Sequence, residues 1–206
     1  MKFTDIVPKG IFANSSGDDA VSLLTADHDK VQELFKQFDE IKDVTDARGL
    51  QEKQRIVAAA CAELTVHTRL EEEIFYPAVR GIIDDADLMN EAQVEHDGAK
   101  ALIGQLGDMT AKNEMFNAKF TVLAEYVKHH IKEEQTEMFP KVRSGDVDLV
   151  QLGQRMISRK QELAEPAPPA KRRAPVKKQR PAVHRKARAA TQRKPATRRS
   201  GASAKL

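Results

Sequence analysis

An all-α protein, an up-down-up-down four-helix bundle with one short further helix and a basic tail, is the fold this 206-residue sequence predicts. Three observations lead there. Ala, Leu, Glu, Lys and Gln are plentiful, Trp is absent and aromatic residues make up only 5%, a composition that favours helix over strand. Apolar residues recur every three or four places through four successive segments, the mark of helices that each bury one stripe. The first two segments also echo the next two. ADHDKVQELFKQF laid on VEHDGAKALIGQL pairs His28 with His96, Asp29 with Asp97, Leu34 with Leu102 and Gln37 with Gln105, as expected of a bundle with pseudo-twofold symmetry.

The first helix is predicted from Asp19, with Val21, Leu24, His28, Val31, Phe35 and Phe38 inward and Ser16 or Asp18 as its cap. The second runs from Leu50 to Tyr76, where Val57, Cys61 and Leu64 lead to His67 and Glu71 on the same face. The third spans Asp87 to Met109 behind a cap at Asp85 or Asp87, with Met89, His96, Ala99 and Ile103 inward. The fourth spans Lys112 to Phe139, with Phe116, Phe120, Val127, His130 and Glu134 inward. Pro77 and Pro140 are expected to stop the second and fourth helices, because the residue before a proline is biased away from helix. SGDVDLVQLGQRMISRKQEL, residues 144 to 163, predicts a further helix capped by Asp146 or Asp148 and packed on the bundle through Leu149, Leu152 and Met156. The resulting division is an irregular arm over 1–17, the bundle over 18–141, the further helix over 144–164 and a disordered tail over 165–206.

The net charge of +3 conceals two different objects. Residues 166 to 206 carry 14 Lys and Arg and no acid, which leaves a body with 20 basic against 31 acidic residues. The tail, PAPPAKRRAPVKKQRPAVHRKARAATQRKPATRRSGASAKL, has too few large apolar residues to bury a core. Its Lys and Arg, from 171 to 205, predict non-specific, salt-sensitive binding to DNA or RNA, and its composition resembles the tails of linker-histone-like bacterial proteins. Docking on the acidic body is the competing expectation, and an anionic membrane surface a weaker third. Isolated His184 in the tail is not expected to be a ligand. Cys61, the one cysteine, sits at helical spacing with Val57 and Leu64 and reads as a small core residue. The start, MKFTDIVPKGIF, holds no apolar run long enough for a signal peptide or membrane span, so a cytoplasmic, nucleoid-associated protein is expected.

HTRLEEEIFYP and HIKEEQTEMFP set His, Glu and Pro in the same three slots. On a helix, positions i and i+4 share a face, so His67 with Glu71 and His130 with Glu134 each aim a nitrogen and a carboxylate at one point. His28 and His96 lie about nine residues after their helix starts, and His67 and His130 about nine before their helix ends, roughly 14 Å along each axis. An antiparallel bundle therefore brings all four imidazoles into one layer. Two ionised Glu in a dry core are costly without a cation, and no Lys or Arg occupies an inward position there. Imidazole and carboxylate suit iron, manganese or zinc. Six side chains exceed one tetrahedral site but serve two octahedral ions, each with two His nitrogens and one oxygen from each bridging Glu. Open positions remain for an oxo or hydroxo bridge and a small ligand. Phe35, Leu64, Ile103 and Val127 are expected to wall this site. His129 points about 100° away from His130, and Glu72, Glu73, Glu133 and Glu137 read as solvated. Ferritin-like di-iron bundles are a rival, but no His here has the Glu three places before it that they use.

DAVSLLTADHDKVQELF, HTRLEEEIFYP, the His96 segment and HIKEEQTEMFP together resemble the hemerythrin-like (HHE cation-binding) family over residues 18 to 141. The resemblance implies a non-haem di-iron centre in a four-helix bundle, with O₂ binding, NO or O₂ sensing, iron handling and repair of iron centres among its uses. Oxygen carriers of that family have a second His four places after the third-helix His, where this chain has Lys100, and a carboxylate where it has Gln135. The resemblance is to the four-His, two-Glu subgroup, and it argues against reversible O₂ carriage. The expected function is binding or sensing of O₂ or NO at two iron ions held by His28, His67, Glu71, His96, His130 and Glu134. A di-iron redox enzyme acting on peroxide, NO or damaged iron centres is the second expectation, and a nucleic-acid-associated structural protein with a stabilising metal site the third.

Overall fold

The structure, a computed structural model, describes residues 19–164. The irregular arm expected over 1–17 and the basic tail over 165–206 lie outside the described residues. Five helices account for most of what is described. α1 (Ala20–Ile41) opens on Asp19, whose carboxylate accepts from the Ser22 backbone N–H at 2.9 Å; the cap is this acid and neither Ser16 nor Asp18. α2 (Ala47–Leu70) begins three residues before Leu50, because Asp46 accepts from the Arg48 and Gly49 backbone N–H groups at 2.9 and 3.0 Å. α3 (Ala86–Gly107) is capped by Asp85, which accepts from Leu88 N–H at 3.1 Å. α4 (Phe116–Glu133) starts later than Lys112, after a turn through Asn113. α5 (Leu149–Ala164) is capped by Asp148, which accepts from Gln151 N–H at 2.9 Å.

α2 and α4 do not stop at their prolines. Each passes into a π-helical turn, Glu71–Phe75 and Glu134–Met138, and then into a last α segment, Tyr76–Val79 and Phe139–Ser144. In the widened turns the Tyr76 N–H reaches back five residues to the Glu71 carbonyl, and the Phe139 N–H to that of Glu134. Pro77 and Pro140 then fall in the first turn of the segment that follows, where a missing N–H costs little.

α1 packs along α2 and α3 along α4, while α5 lies against α1, α2 and the first π turn. Two apolar clusters result. One, around Leu24, Leu70, Phe75, Met138 and Phe139, also takes Leu152 and Met156 of α5. The other, around Phe35, Phe38, Cys61, Leu106, Phe116 and Phe120, fills the opposite part of the bundle. Between them sits a layer of fully buried polar side chains. Among the described residues, no helix is long and apolar enough to cross a membrane.

Candidate metal centre

That polar layer is made by six residues from four helices: His28, His67, Glu71, His96, His130 and Glu134, none more than 6% exposed. Both Glu open the π turns, so the departure from regular helix begins where the carboxylates point inward. The imidazoles pair across helices. Nε2 of His28 lies 3.1 Å from Nε2 of His67, and Nε2 of His96 lies 3.2 Å from Nε2 of His130. Glu71 spans both pairs, with Oε1 3.1 Å from His67 Nε2 and Oε2 3.2 Å from His96 Nε2. Glu134 behaves differently from the expectation of one oxygen to each pair. Its Oε2 lies 3.1 Å from His28 Nε2 and 3.5 Å from His130 Nε2, while its Oε1 accepts from the Tyr76 hydroxyl at 3.0 Å.

The donor set fits a cation on two grounds. Both oxygens of Glu71 and Oε2 of Glu134 are buried and accept no hydrogen bond, an arrangement that is costly without a positive charge. Donor atoms about 2.1 Å from one ion lie roughly 3.0 Å apart at right angles and roughly 3.4 Å apart at tetrahedral angles. The His28–His67, His67–Glu71 and His28–Glu134 separations, each 3.1 Å, are near the first value. His28, His67, Glu71 and Glu134 form one such group, and Glu71, His96 and His130 a second that shares Glu71.

Two of the imidazoles are also held from outside by carboxylates. His96 Nδ1–H donates to Glu72 Oε1 at 3.0 Å, and His130 Nδ1–H to Glu95 Oε2 at 2.9 Å. Asp27 Oδ2 stands 3.8 Å from His67 Nδ1, and the Gln135 amide 3.4 Å from His28 Nδ1. The two carboxylates that accept from Nδ1 orient the rings of His96 and His130 and keep their inner nitrogens free. Donors on neighbouring residues anchor the outer carboxylates in turn: Lys100 Nζ on Glu72 at 2.8 Å, the ring of exposed His129 on Glu95 at 2.8 Å and Lys160 of α5 on Asp27. Glu72 is therefore not simply solvated, as its place in the sequence had implied.

In the metal-free site the electrostatics follow from this crowding. Burial disfavours a charged His67, but Glu71 and Asp27 outweigh it and raise its pKa to about 10. Burial likewise opposes a charged His130, and Glu134 and Glu95 raise it to about 9. Burial works to raise Glu71, yet His67 and His96 hold it well below the usual carboxylate range. Burial, with Glu134 and Glu71, pushes the Tyr76 phenol well above its ordinary value.

A cavity of about 20 Å³, room for one water-sized molecule, adjoins all four imidazoles. Val31, Leu64, Ala99 and Val127, each three residues from a His, form its apolar wall. Leu64 and Val127 were expected there. Phe35 and Ile103 stand seven residues from His28 and His96, two helical turns, and pack in the second apolar cluster instead.

Sequence reasoning missed Tyr76, Asp27 and Glu95. Their signal lay in the repeat. Asp27 and Glu95 each precede a site His, Glu72 and Gln135 each follow a site Glu, and Tyr76 and Phe139 each stand five places after one.

A family model, the hemerythrin HHE cation binding domain, matches residues 19–142. A Nostoc protein described as a DNA nickase is 27% identical over 123 residues, 60% of this chain and 33% of that relative, so the match spans about a third of the relative's length. The crystal structure of a hemerythrin HHE cation binding domain-containing protein from Mycobacterium kansasii superposes with a TM-score of 0.57 at 21% identity, covering 71% of this chain and 87% of that one. This likeness shows a shared helical fold.

Proposed function

We propose, from the premise that this chain belongs to the hemerythrin HHE cation-binding family, that it holds two iron ions and binds or senses a small diatomic ligand, O₂ or NO. His28 and His67 would hold one ion and His96 and His130 the other, with Glu71 shared and Glu134 nearest the first. The observation that carries the reading is the pairing of buried carboxylate oxygens that accept no hydrogen bond with a cavity of about 20 Å³ bordered by all four imidazoles. A reduced iron pair would supply electrons to a bound diatomic. The chain's own residues do the rest. Glu72 and Glu95 fix the rings of His96 and His130, the apolar wall excludes bulk water and ions, and the Tyr76 hydroxyl, held on Glu134, offers a proton at the buried edge of the site. Anaerobic di-ferrous protein should change its optical spectrum on exposure to NO or O₂. An unchanged spectrum with both gases refutes the reading.

The same Tyr76 hydroxyl favours a second reading, a di-iron redox enzyme, since turnover of peroxide or NO needs a proton source where binding alone does not. Catalytic turnover with an electron donor, beyond stoichiometric binding, separates the two. The basic tail is proposed to place the domain on nucleic acid, a role supported by its 14 Lys and Arg without an acid. Deleting 166–206 should abolish DNA binding and leave metal content intact.

A further inference from the structure

The cavity beside the histidines is closed by a wall of uneven thickness. Val31, Leu64 and Val127 present branched side chains, but the fourth position is Ala99, with a single methyl. Next to it stands Gly98. A Cβ added there would lie 3.3 Å from Cε2 and 3.5 Å from Cδ2 of Tyr126, so the ring of Tyr126, on α4, is seated against the bare backbone of α3. Tyr126 lines the cavity while being 48% exposed, and it is the one exposed residue among those that line it. One side chain thus reaches from solvent to the chamber.

The other half of the bundle is closed by different chemistry. The repeat places Lys30 where α3 has Gly98, and Glu63 where α4 has Tyr126. Lys30 Nζ donates to Glu63 Oε1 at 2.5 Å, and Glu63 is buried. An ion pair held between two helices moves only by separating charges, whereas an aromatic ring resting on glycine moves by rotation about its own side-chain bonds. The easier passage is therefore the one under Tyr126.

We infer that Tyr126, seated on Gly98, is the gate through which ligand reaches the four-histidine cavity, and that it selects small neutral molecules over anions and larger solutes. The selection follows from what lies behind the ring: the apolar side chains of Val31, Leu64, Ala99 and Val127, and a volume that holds a diatomic molecule but not a hydrated ion. The inference rests on the diatomic-binding reading and adds a route and a filter to it. A gate differs from a binding contact in its kinetic signature. Removing it accelerates arrival and departure together, so the two rates change far more than the equilibrium affinity does.

Stopped-flow mixing of NO with anaerobic, iron-loaded full-length protein tests this, comparing wild type with Tyr126→Ala and Tyr126→Leu. Both variants should keep the wild-type iron content. Association and dissociation rate constants should rise together, roughly tenfold in Tyr126→Ala and less in Tyr126→Leu. Azide added to the oxidised protein should bind the Ala variant faster than wild type. Wild-type NO rates in an iron-replete Tyr126→Ala protein overturn the gate, as does a change confined to dissociation. If Tyr126→Ala loses iron, Tyr126→Leu decides on the same criteria. If wild type gives no NO signal at all, the diatomic reading fails and the gate with it; NO binding with rates indifferent to Tyr126 refutes the gate alone.

Discussion

Loading the proposed site with metal must expel protons, and two of them are assigned to His67 and His130. In the metal-free protein His67 has its pKa raised to about 10 and His130 to about 9; burial pulls both down but the carboxylates around them prevail. At pH 7 each ring is therefore an imidazolium, with Glu71 Oε1 3.1 Å from His67 Nε2 and Glu134 Oε2 3.5 Å from His130 Nε2. A metal ion needs that lone pair, so it displaces the proton. Glu71, held far below the normal range, is already ionised and releases nothing. His67 and His130 together are expected to release about two protons per metal pair. Affinity for the pair should then rise about 100-fold per pH unit between pH 7 and 8.5, or about 2.7 kcal/mol per unit, and level off above about pH 10.

Calorimetric titration of anaerobic Fe²⁺ into metal-free protein, repeated in buffers of different ionisation enthalpy at pH 7.5, reads the proton count from the slope. A slope near zero, or an affinity indifferent to pH over that range, refutes the reasoning. The same groups fix a stability profile. A folded-state pKa raised above the unfolded value of about 6.5 contributes stability that is complete below pH 6.5 and lost as pH rises through the folded value. Metal-free protein should thus lose stability progressively from pH 6.5 through about 9 and 10, while the loaded protein does not follow that decline.

Glu72→Gln or Glu95→Gln should weaken metal binding roughly 10- to 100-fold with the helical content unchanged, measured by chelator competition beside circular dichroism, because each removes the carboxylate that orients an imidazole. Cys61 is 1% exposed and burial pushes its thiol up to about 12, so it should resist thiol reagents in the native protein and react at once on unfolding; rapid native labelling contradicts its place in the core. Tyr76→Phe should make the two halves of the site more alike, drawing two distinct Mössbauer signals of the iron-loaded protein together. Unaltered signals would mean that the hydroxyl does not distinguish the halves.

What the sequence made legible was whatever repeats at helical spacing. His28 and His96, and the two His–Glu pairs, stood out because four polar residues at one depth interrupt stripes such as Val57, Cys61 and Leu64. The prolines misled because a proline reads as a stop only against a regular α ladder, and the π turns at Glu71 and Glu134 shift the register before Pro77 and Pro140 are reached. Tyr76 was invisible for the same reason, since at α-helical spacing a residue five places after Glu71 points away from it. Asp27, Glu72 and Glu95 resemble surface acids until their partners on other helices are known, and pairing across helices leaves no mark within a single segment.

The pseudo-twofold that built the site is also broken in a consistent direction. Equivalent positions supply the ligands, the outer partners and even the rings stacked on them, Tyr76 on His96 and Phe139 on His28. Yet beside His96 stand a carboxylate, Glu72, and a phenol, whereas beside His28 stand a neutral amide, Gln135, and a phenyl ring. Negative charge and a protic oxygen near one imidazole raise its basicity and stabilise a more highly charged ion at that half. The thin wall at Ala99 and the ring of Tyr126 lie on the α3–α4 side as well. On the proposed reading, in which the site admits a small molecule and moves electrons or protons to it, that chemistry belongs on the side with the phenol, the carboxylate and the ring of Tyr126.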